Sequence, residues 1–140
     1  MKKFRKPKKF DVSAVVIGAG AAGLVSSIIF AGGRGKVVLI EQGKMGGDCL
    51  NTGCIPSKTL IRASRLMFDI SHAGEFGIEV GERKVNFEEV IERIKKVIKS
   101  IEPHDSKERL TSLGVECISG SARIESVSYT HLTLPTKRIV

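Results

Sequence analysis

Val12-Ser13-Ala14-Val15-Val16-Ile17-Gly18-Ala19-Gly20-Ala21-Ala22-Gly23 carries two signals in succession. Its first half is short, β-branched and mostly apolar, the composition of a strand buried on both faces in a parallel sheet. Its second half matches G-x-G-x-x-G, and Ala21 to Ala31 then reads as a helix closed by Gly32 and Gly33. A second strand, Lys36 to Ile40, ends at Glu41, about twenty residues beyond the glycines. Strand, glycine turn, helix and acid in this order predict a dinucleotide-binding βαβ unit and an α/β, Rossmann-like fold. Each residue has a physical task in it. Gly18 permits the tight turn, Gly20 lets the backbone approach a pyrophosphate, and Gly23 allows close packing of helix on strand. The helix N-terminus attracts phosphate, and Glu41 can accept hydrogen bonds from ribose hydroxyls.

A second centre of chemistry follows at once. Gly46 to Lys58 reads Gly-Gly-Asp-Cys-Leu-Asn-Thr-Gly-Cys-Ile-Pro-Ser-Lys, with Cys49 and Cys54 five positions apart. An apolar helix-forming run (Leu60, Ile61, Ala63, Leu66, Met67, Phe68) comes next, and Pro56 is tolerated in a first helical turn, so a helix is predicted to begin near Cys54. That position lies in the positive field of a helix N-terminus, which favours the thiolate and lowers its pKa; Lys58 adds charge about one turn on. A cysteine pair with one activated member is the minimal apparatus of thiol–disulfide exchange. Two plainer readings stand beside it, half of a metal site or small buried residues. A structural zinc site usually needs four ligands, and Cys117, His72, His104 and His131 stand at no ligand-like spacing. No metal is expected. Buried bystanders leave the three neighbouring glycines and the proline without a reason.

The pair begins only eight residues after Glu41. A redox dithiol needs an electron carrier in contact with it, and a flavin passes electrons between a nicotinamide and a disulfide, so FAD is favoured over NAD for this unit.

Composition removes other classes. The 140 residues suffice for one domain with a sizeable core. The net charge of +8 resembles a nucleic-acid signal until it is located: eight of the 23 basic residues lie in residues 2–9 and 137–140, where there is no acid, which leaves 15 basic against 15 acidic. The basic leader, residues 1–9, reads as a solvated arm, and no aromatic pattern supports nucleic-acid binding. Ala14 to Ala31 behind that leader imitates a signal peptide or membrane anchor. Gly18, Gly20, Gly23, Ser26 and Ser27 interrupt it and no cleavage site is obvious, so neither is expected. A pair that must cycle between redox states fits a reducing cytoplasm.

Gly18 to Gly23, Glu41 and above all the cysteine motif resemble the pyridine nucleotide–disulfide oxidoreductases, over about residues 10–125, with dihydrolipoyl dehydrogenase and mercuric reductase as the nearest kinds. The resemblance implies that Cys54 is the charge-transfer thiol against the flavin and Cys49 the interchange thiol that meets substrate. It implies that Lys58 sits near the flavin ring, that Gly20, Glu41 and Gly47 line the FAD site, and that Gly120-Ser121-Ala122 touches the adenine end. It further implies NAD(P)H as reductant, a lipoyl-type disulfide or Hg(II) as electron acceptor, and a homodimeric whole enzyme. Asp48 departs from the Thr that many members carry; a negative charge there would raise the Cys49 pKa. A rival of another class is a non-enzymatic nucleotide-binding or thiol redox-sensing module, in which the pair switches a partner.

Further along, Asn86 reads as an N-cap and Phe87, Val90, Ile91, Ile94, Val97, Ile98 and Ile101 recur at helical spacing up to Pro103, a stripe expected to pack within the chain. A shorter helix, about Ser106 to Leu113, precedes a third parallel strand, Val115 to Ser119, with Cys117 an inert buried thiol. His72 and His104 are expected to be structural or solvent-facing. After Glu125 the resembled family continues into a β-meander, whereas Ser-Val-Ser-Tyr-Thr-His-Leu-Thr-Leu-Pro-Thr-Lys-Arg-Ile-Val resembles the translation of a sequencing-library adaptor. Residues 126–140 are therefore expected to be a non-native tail. On that expectation the chain is a truncated front end, short of the meander, the NAD(P)H unit and the interface domain, and without turnover of its own.

Overall fold

The computed structural model describes residues 11–126 and 129–133. The basic leader lies outside the described residues, as does the tail apart from Ser126 and residues 129–133. In chain order the elements are β1 (Ala14–Ile17), α1 (Ala21–Gly32), β2 (Val37–Glu41), α2 (Gly47–Asn51), α3 (Cys54–Ser71), α4 (Phe87–Ile101), α5 (Lys107–Ser112), β3 (Val115–Ser119), β4 (Arg123–Ser126) and β5 (Tyr129–Thr133). The described residues form two compact units, one of those up to Gly47 with those from His104 on, and one of Asp48–Pro103.

The first unit is built on a parallel sheet in the order β1-β2-β3. Its register pairs Ala14 with Val37 and Val16 with Leu39, and carries on to Val115 and Cys117 across β2. These six side chains share a face, because side chains alternate along a strand. Against that face pack Leu24, Ile28 and Ala31 of α1 and Leu110 of α5, which makes the core. Leu39 and Leu110 are fully buried, each contributing about 1.5–3 kcal/mol on removal from water. The opposite face corrects one expectation. Val15 and Ile17 are 39% and 51% exposed, so β1 is buried on one face only. β1 lies at the end of the strand order, and the core helices pack on its other face. Central β2, flanked by a strand on each side, keeps Val38 and Ile40 at 8% and 3% exposure.

Local sequence accounts for the boundaries. Gly33 caps α1, its N–H donating to the Ile29 carbonyl oxygen at 3.1 Å. Ser106 caps α5, its hydroxyl accepting the Arg109 N–H at 3.2 Å, and Gly114 (φ +91°) turns the chain into β3. An antiparallel pair follows β3, with Arg123 opposite Thr133 and Ser126 opposite Tyr129. Strand pairing, with a register shift between Ile124 and Ser126, thus runs past residue 125.

The second unit is a helical hairpin in which α3 packs on α4. Asn86 caps α4 as expected: its Oδ1 accepts the Glu88 N–H at 3.2 Å and its Nδ2 donates to Glu89 at 3.0 Å. The stripe from Val90 to Ile101 is half-buried, in keeping with intrachain packing, while Phe87 remains 62% exposed. Pro103 falls in a 3-10 turn, Glu102–Asp105, directly after α4.

Two substitutions test this packing in opposite directions. A Cβ on Gly23 would overlap the Gly18 carbonyl oxygen, a backbone atom that cannot swing aside, so Gly23→Ala is expected to cost about 1–3 kcal/mol or more. Ser27 is fully buried with no hydrogen-bond partner for its hydroxyl among the described residues, so Ser27→Ala is expected to add about 1 kcal/mol. Urea denaturation of each variant reads both; a stable Gly23→Ala would contradict the close approach of α1 to β1.

Candidate functional site

The three parallel strands end at one edge, and the loops leaving it meet around Glu41. β1 runs into Gly18, whose φ of +95° is a left-handed conformation that glycine adopts without strain. The Gly18 N–H donates to the Ile40 carbonyl oxygen at 2.8 Å, tying the turn to β2. Gly20 is the N-cap of α1, and a Cβ there would meet nothing within 4 Å. The space in front of α1 is therefore open on the side where a phosphate would approach. Gly47 (φ +54°) closes in from the β2–α2 loop, near enough that a Cβ on it would stand 2.8 Å from Gly20 Cα. From β3 the Gly120 N–H donates to the Glu41 carbonyl oxygen at 2.8 Å. Ala122 follows in the β3–β4 connection, half-buried.

Glu41 itself does more than the sequence pattern assigned to it. Its Oε2 accepts the Ala19 N–H at 2.5 Å and its Oε1 accepts the Gly43 N–H at 2.6 Å. The Ala19 bond is the main reason that this carboxyl ionises below its ordinary value; burial opposes it, and the Gly43 and Gln42 N–H groups add to it. Each carboxylate oxygen keeps a lone pair for a ribose hydroxyl. Ala19 and Gly43 were not among the candidates, because they act through backbone N–H groups that any residue carries.

The residues present fit a dinucleotide. Open space lies before Gly18 and Gly20, Gly23 and Gly47 let the surrounding backbone close up around the turn, and an ionised acceptor stands at the end of β2. These are the donor, space and acceptor that a pyrophosphate and a ribose require.

The second unit holds the thiols. Cys49 sits in the middle of the short helix α2, and Cys54 is the first residue of α3, as its position before Pro56 predicted. The turn between them is pinned on one atom: the Asp48 carbonyl oxygen accepts N–H groups from both Thr52 (2.9 Å) and Gly53 (2.6 Å). Gly53 has to be small here, since a Cβ would lie 3.0 Å from that oxygen. The turn brings the Cys49 and Cys54 side chains close enough to interact. Interaction with the Cys54 side chain is the largest cause raising the Cys49 pKa, followed by desolvation; the Lys58 ammonium acts in the lowering sense. A rise in the Cys49 pKa was expected from Asp48, but the cause is its partner cysteine. The Asp48 carboxylate instead accepts the Thr52 hydroxyl at 3.3 Å. Cys54 is the more exposed of the two.

The remaining candidates behave as structural residues. Cys117 packs against the core, where burial raises its pKa and suppresses the nucleophilic thiolate. His72 stacks on Phe68 at a 4.0 Å ring separation, at the end of α3. The His104 carbonyl oxygen accepts from the Arg109 guanidinium at 2.7 Å. Among the described residues no group of three or more His, Cys, Asp or Glu is placed to hold a metal ion, and no helix is long and apolar enough to cross a membrane.

A βαβ nucleotide cradle followed directly by a dithiol defines a class of redox protein, and comparison with known proteins gives the family. The family model of the pyridine nucleotide–disulphide oxidoreductases matches residues 12–134, and the chain belongs to that family. It is similar to the dihydrolipoyl dehydrogenase of Chlamydia trachomatis, with 44% identity over 87 residues covering 62% of this chain and 19% of that one. It is also similar to that of Mycoplasma pneumoniae, with 32% identity over 130 residues, or 90% and 28% of the two chains. Among solved structures it resembles the Cu(II) complex of the HOCl-induced flavoprotein disulfide reductase RclA from Escherichia coli, at a TM-score of 0.61 and 29% identity over 80% of this chain and 22% of that one. The chain thus spans between 19% and 28% of the length of the dehydrogenases quoted.

The thiol geometry makes a specific demand on reactivity. Since Cys54 is what raises the Cys49 pKa, Cys54→Ser is expected to bring it back toward the ordinary thiol range and so increase the thiolate fraction at Cys49 near pH 8. Iodoacetamide should then alkylate Cys49 faster in the variant, as followed by peptide mass spectrometry. An unchanged or slower rate would show that the two sulfurs do not interact.

Proposed function

We propose that this chain is the FAD-binding, dithiol-bearing front part of an NAD(P)H-dependent flavoprotein disulfide oxidoreductase of the dihydrolipoyl dehydrogenase kind. The observation that carries the proposal is the mutual interaction of the Cys49 and Cys54 side chains at the start of α3, in a chain whose glycine loop and Glu41 fit a dinucleotide. When bound, FAD supplies a carrier that takes electrons from NAD(P)H, the latter held by a unit outside this chain, and exchanges them with a disulfide. Gly18, Gly20, Gly23 and Gly47 would admit it, Glu41 would accept from its ribose, Gly120 and Ala122 belong to its adenine side, and Lys58 is assigned to the flavin ring.

The thiols carry out exchange chemistry with a substrate disulfide. The Cys49 thiolate attacks one substrate sulfur, forming a mixed disulfide and releasing the first substrate thiol. Cys54 then attacks the Cys49 sulfur, which releases the second substrate thiol and leaves Cys49 joined to Cys54. Two thiols of the protein have become one disulfide, and one substrate disulfide has become two thiols. A raised Cys49 pKa means that this thiol needs a base to lose its proton. The family resemblance assigns that role to a His–Glu pair supplied by a partner subunit, so the whole enzyme is taken as a homodimer, in a reducing cytoplasm. A lipoyl-type or other small disulfide is the preferred acceptor; Hg(II), a soft ion suited to a thiolate pair, is the second. Residues 10–125 are the part that performs this work, with residues 1–9 a leader.

In a gene extended to the length of the relatives, Cys54→Ser is expected to abolish NAD(P)H-driven disulfide reduction while leaving bound flavin at wild-type stoichiometry. Flavin absorbance and a coupled disulfide assay read the two quantities. Lost flavin with retained activity would refute the assignment.

A further inference from the structure

Three loops meet on a single glutamate, and one of their contacts has no counterpart in ligand binding. Ala19, between the first two glycines of the loop, is fully buried, so its N–H cannot donate to a molecule arriving from outside. That N–H is engaged by Glu41 Oε2 at 2.5 Å across the strand gap, while Oε1 holds the Gly43 N–H at 2.6 Å. The same residue accepts the Gly120 N–H on its main-chain carbonyl at 2.8 Å. Glu41 therefore joins the ends of β1, β2 and β3 with no nucleotide involved.

We infer that Glu41 is a positioning residue: by holding the Ala19 N–H it sets the glycine loop for a pyrophosphate before the ligand arrives, in addition to any bond it makes to ribose. This rests on the dinucleotide reading of the site and deepens it. With the Ala19 peptide held by the glutamate, the donors left for phosphate are the unpaired N–H groups of the first turn of α1. A carboxamide at position 41 offers one acceptor and one donor to two N–H groups, so one of them loses its partner. Only backbone N–H groups and burial move this carboxyl. Its pKa is lowered in the folded chain, so the bond contributes stability above the ordinary glutamate pKa of about 4.3 and loses it as pH falls through the lower folded value.

The test uses the 140-residue chain, isotope-labelled and free of ligand, titrated by NMR from about pH 7 to about pH 3. The Ala19 and Gly43 amide resonances are expected to move together on one curve whose midpoint lies below the usual glutamate value. Glu41→Gln should abolish the curve and reduce protection of the Ala19 amide against solvent exchange by roughly tenfold or more. An Ala19 resonance indifferent to pH in that range, or unchanged protection in the variant, overturns the inference; should the variant not fold, the wild-type titration decides alone. FAD added to the wild-type chain separates the two readings. An Ala19 titration without flavin binding supports the positioning role and counts against the flavin assignment. Flavin binding with a pH-indifferent Ala19 does the reverse.

Discussion

The carboxylate of Glu41 is the point on which the first unit depends. Three parallel strands end together, and the loops that leave them expose backbone N–H groups that have to be satisfied near a partly buried edge. One glutamate at the end of the central strand takes two of them on its side chain and a third on its main chain, from Ala19, Gly43 and Gly120. The cost of holding a charge there is met by those donors, which favour the ionised form. The glycines then follow from sterics. Gly18 turns with positive φ, Gly23 lets α1 lie against the turn, and Gly47 comes close to Gly20. A side chain at either of the last two would push the converging backbones apart.

The dithiol solves a separate problem, that of bringing two cysteines together across five positions of chain. A single helix would not do so, because residues five apart point in different directions along a continuous helix. Ending α2 at Asn51 and starting α3 at Cys54, with the Asp48 carbonyl oxygen accepting two N–H groups at the break, brings the two cysteine side chains close enough to interact. The small residue at Gly53 is the steric condition for that turn. Local backbone geometry, more than the charge at Asp48, governs how readily Cys49 gives up its proton.

Much of this was legible in the amino-acid sequence, and the parts that were not share a cause. The βαβ order, the caps at Asn86 and Ser106, the start of α3 at Cys54 and the helical stripe from Val90 to Ile101 are local or periodic features, carried by side-chain type and spacing. The half-exposed face of β1 was not, since Val15 and Ile17 look the same whether or not a layer covers them. Nor were the Ala19 and Gly43 contacts of Glu41, which use backbone donors common to every residue, although an acid between two glycine-rich turns is a pattern worth seeking. The source of the Cys49 shift was misassigned to Asp48 because a formal charge is visible in a sequence, whereas the approach of Cys54 depends on a turn that is not.

The claim that these two sulfurs form a working redox couple is tested most directly by equilibrating the reduced chain with glutathione disulfide and mapping its peptides by mass spectrometry. The expected result is an intramolecular Cys49–Cys54 bond, formed with loss of two hydrogens, while Cys117 stays a free thiol. Separate glutathione adducts on Cys49 and Cys54, or a bond from either of them to Cys117, would contradict it.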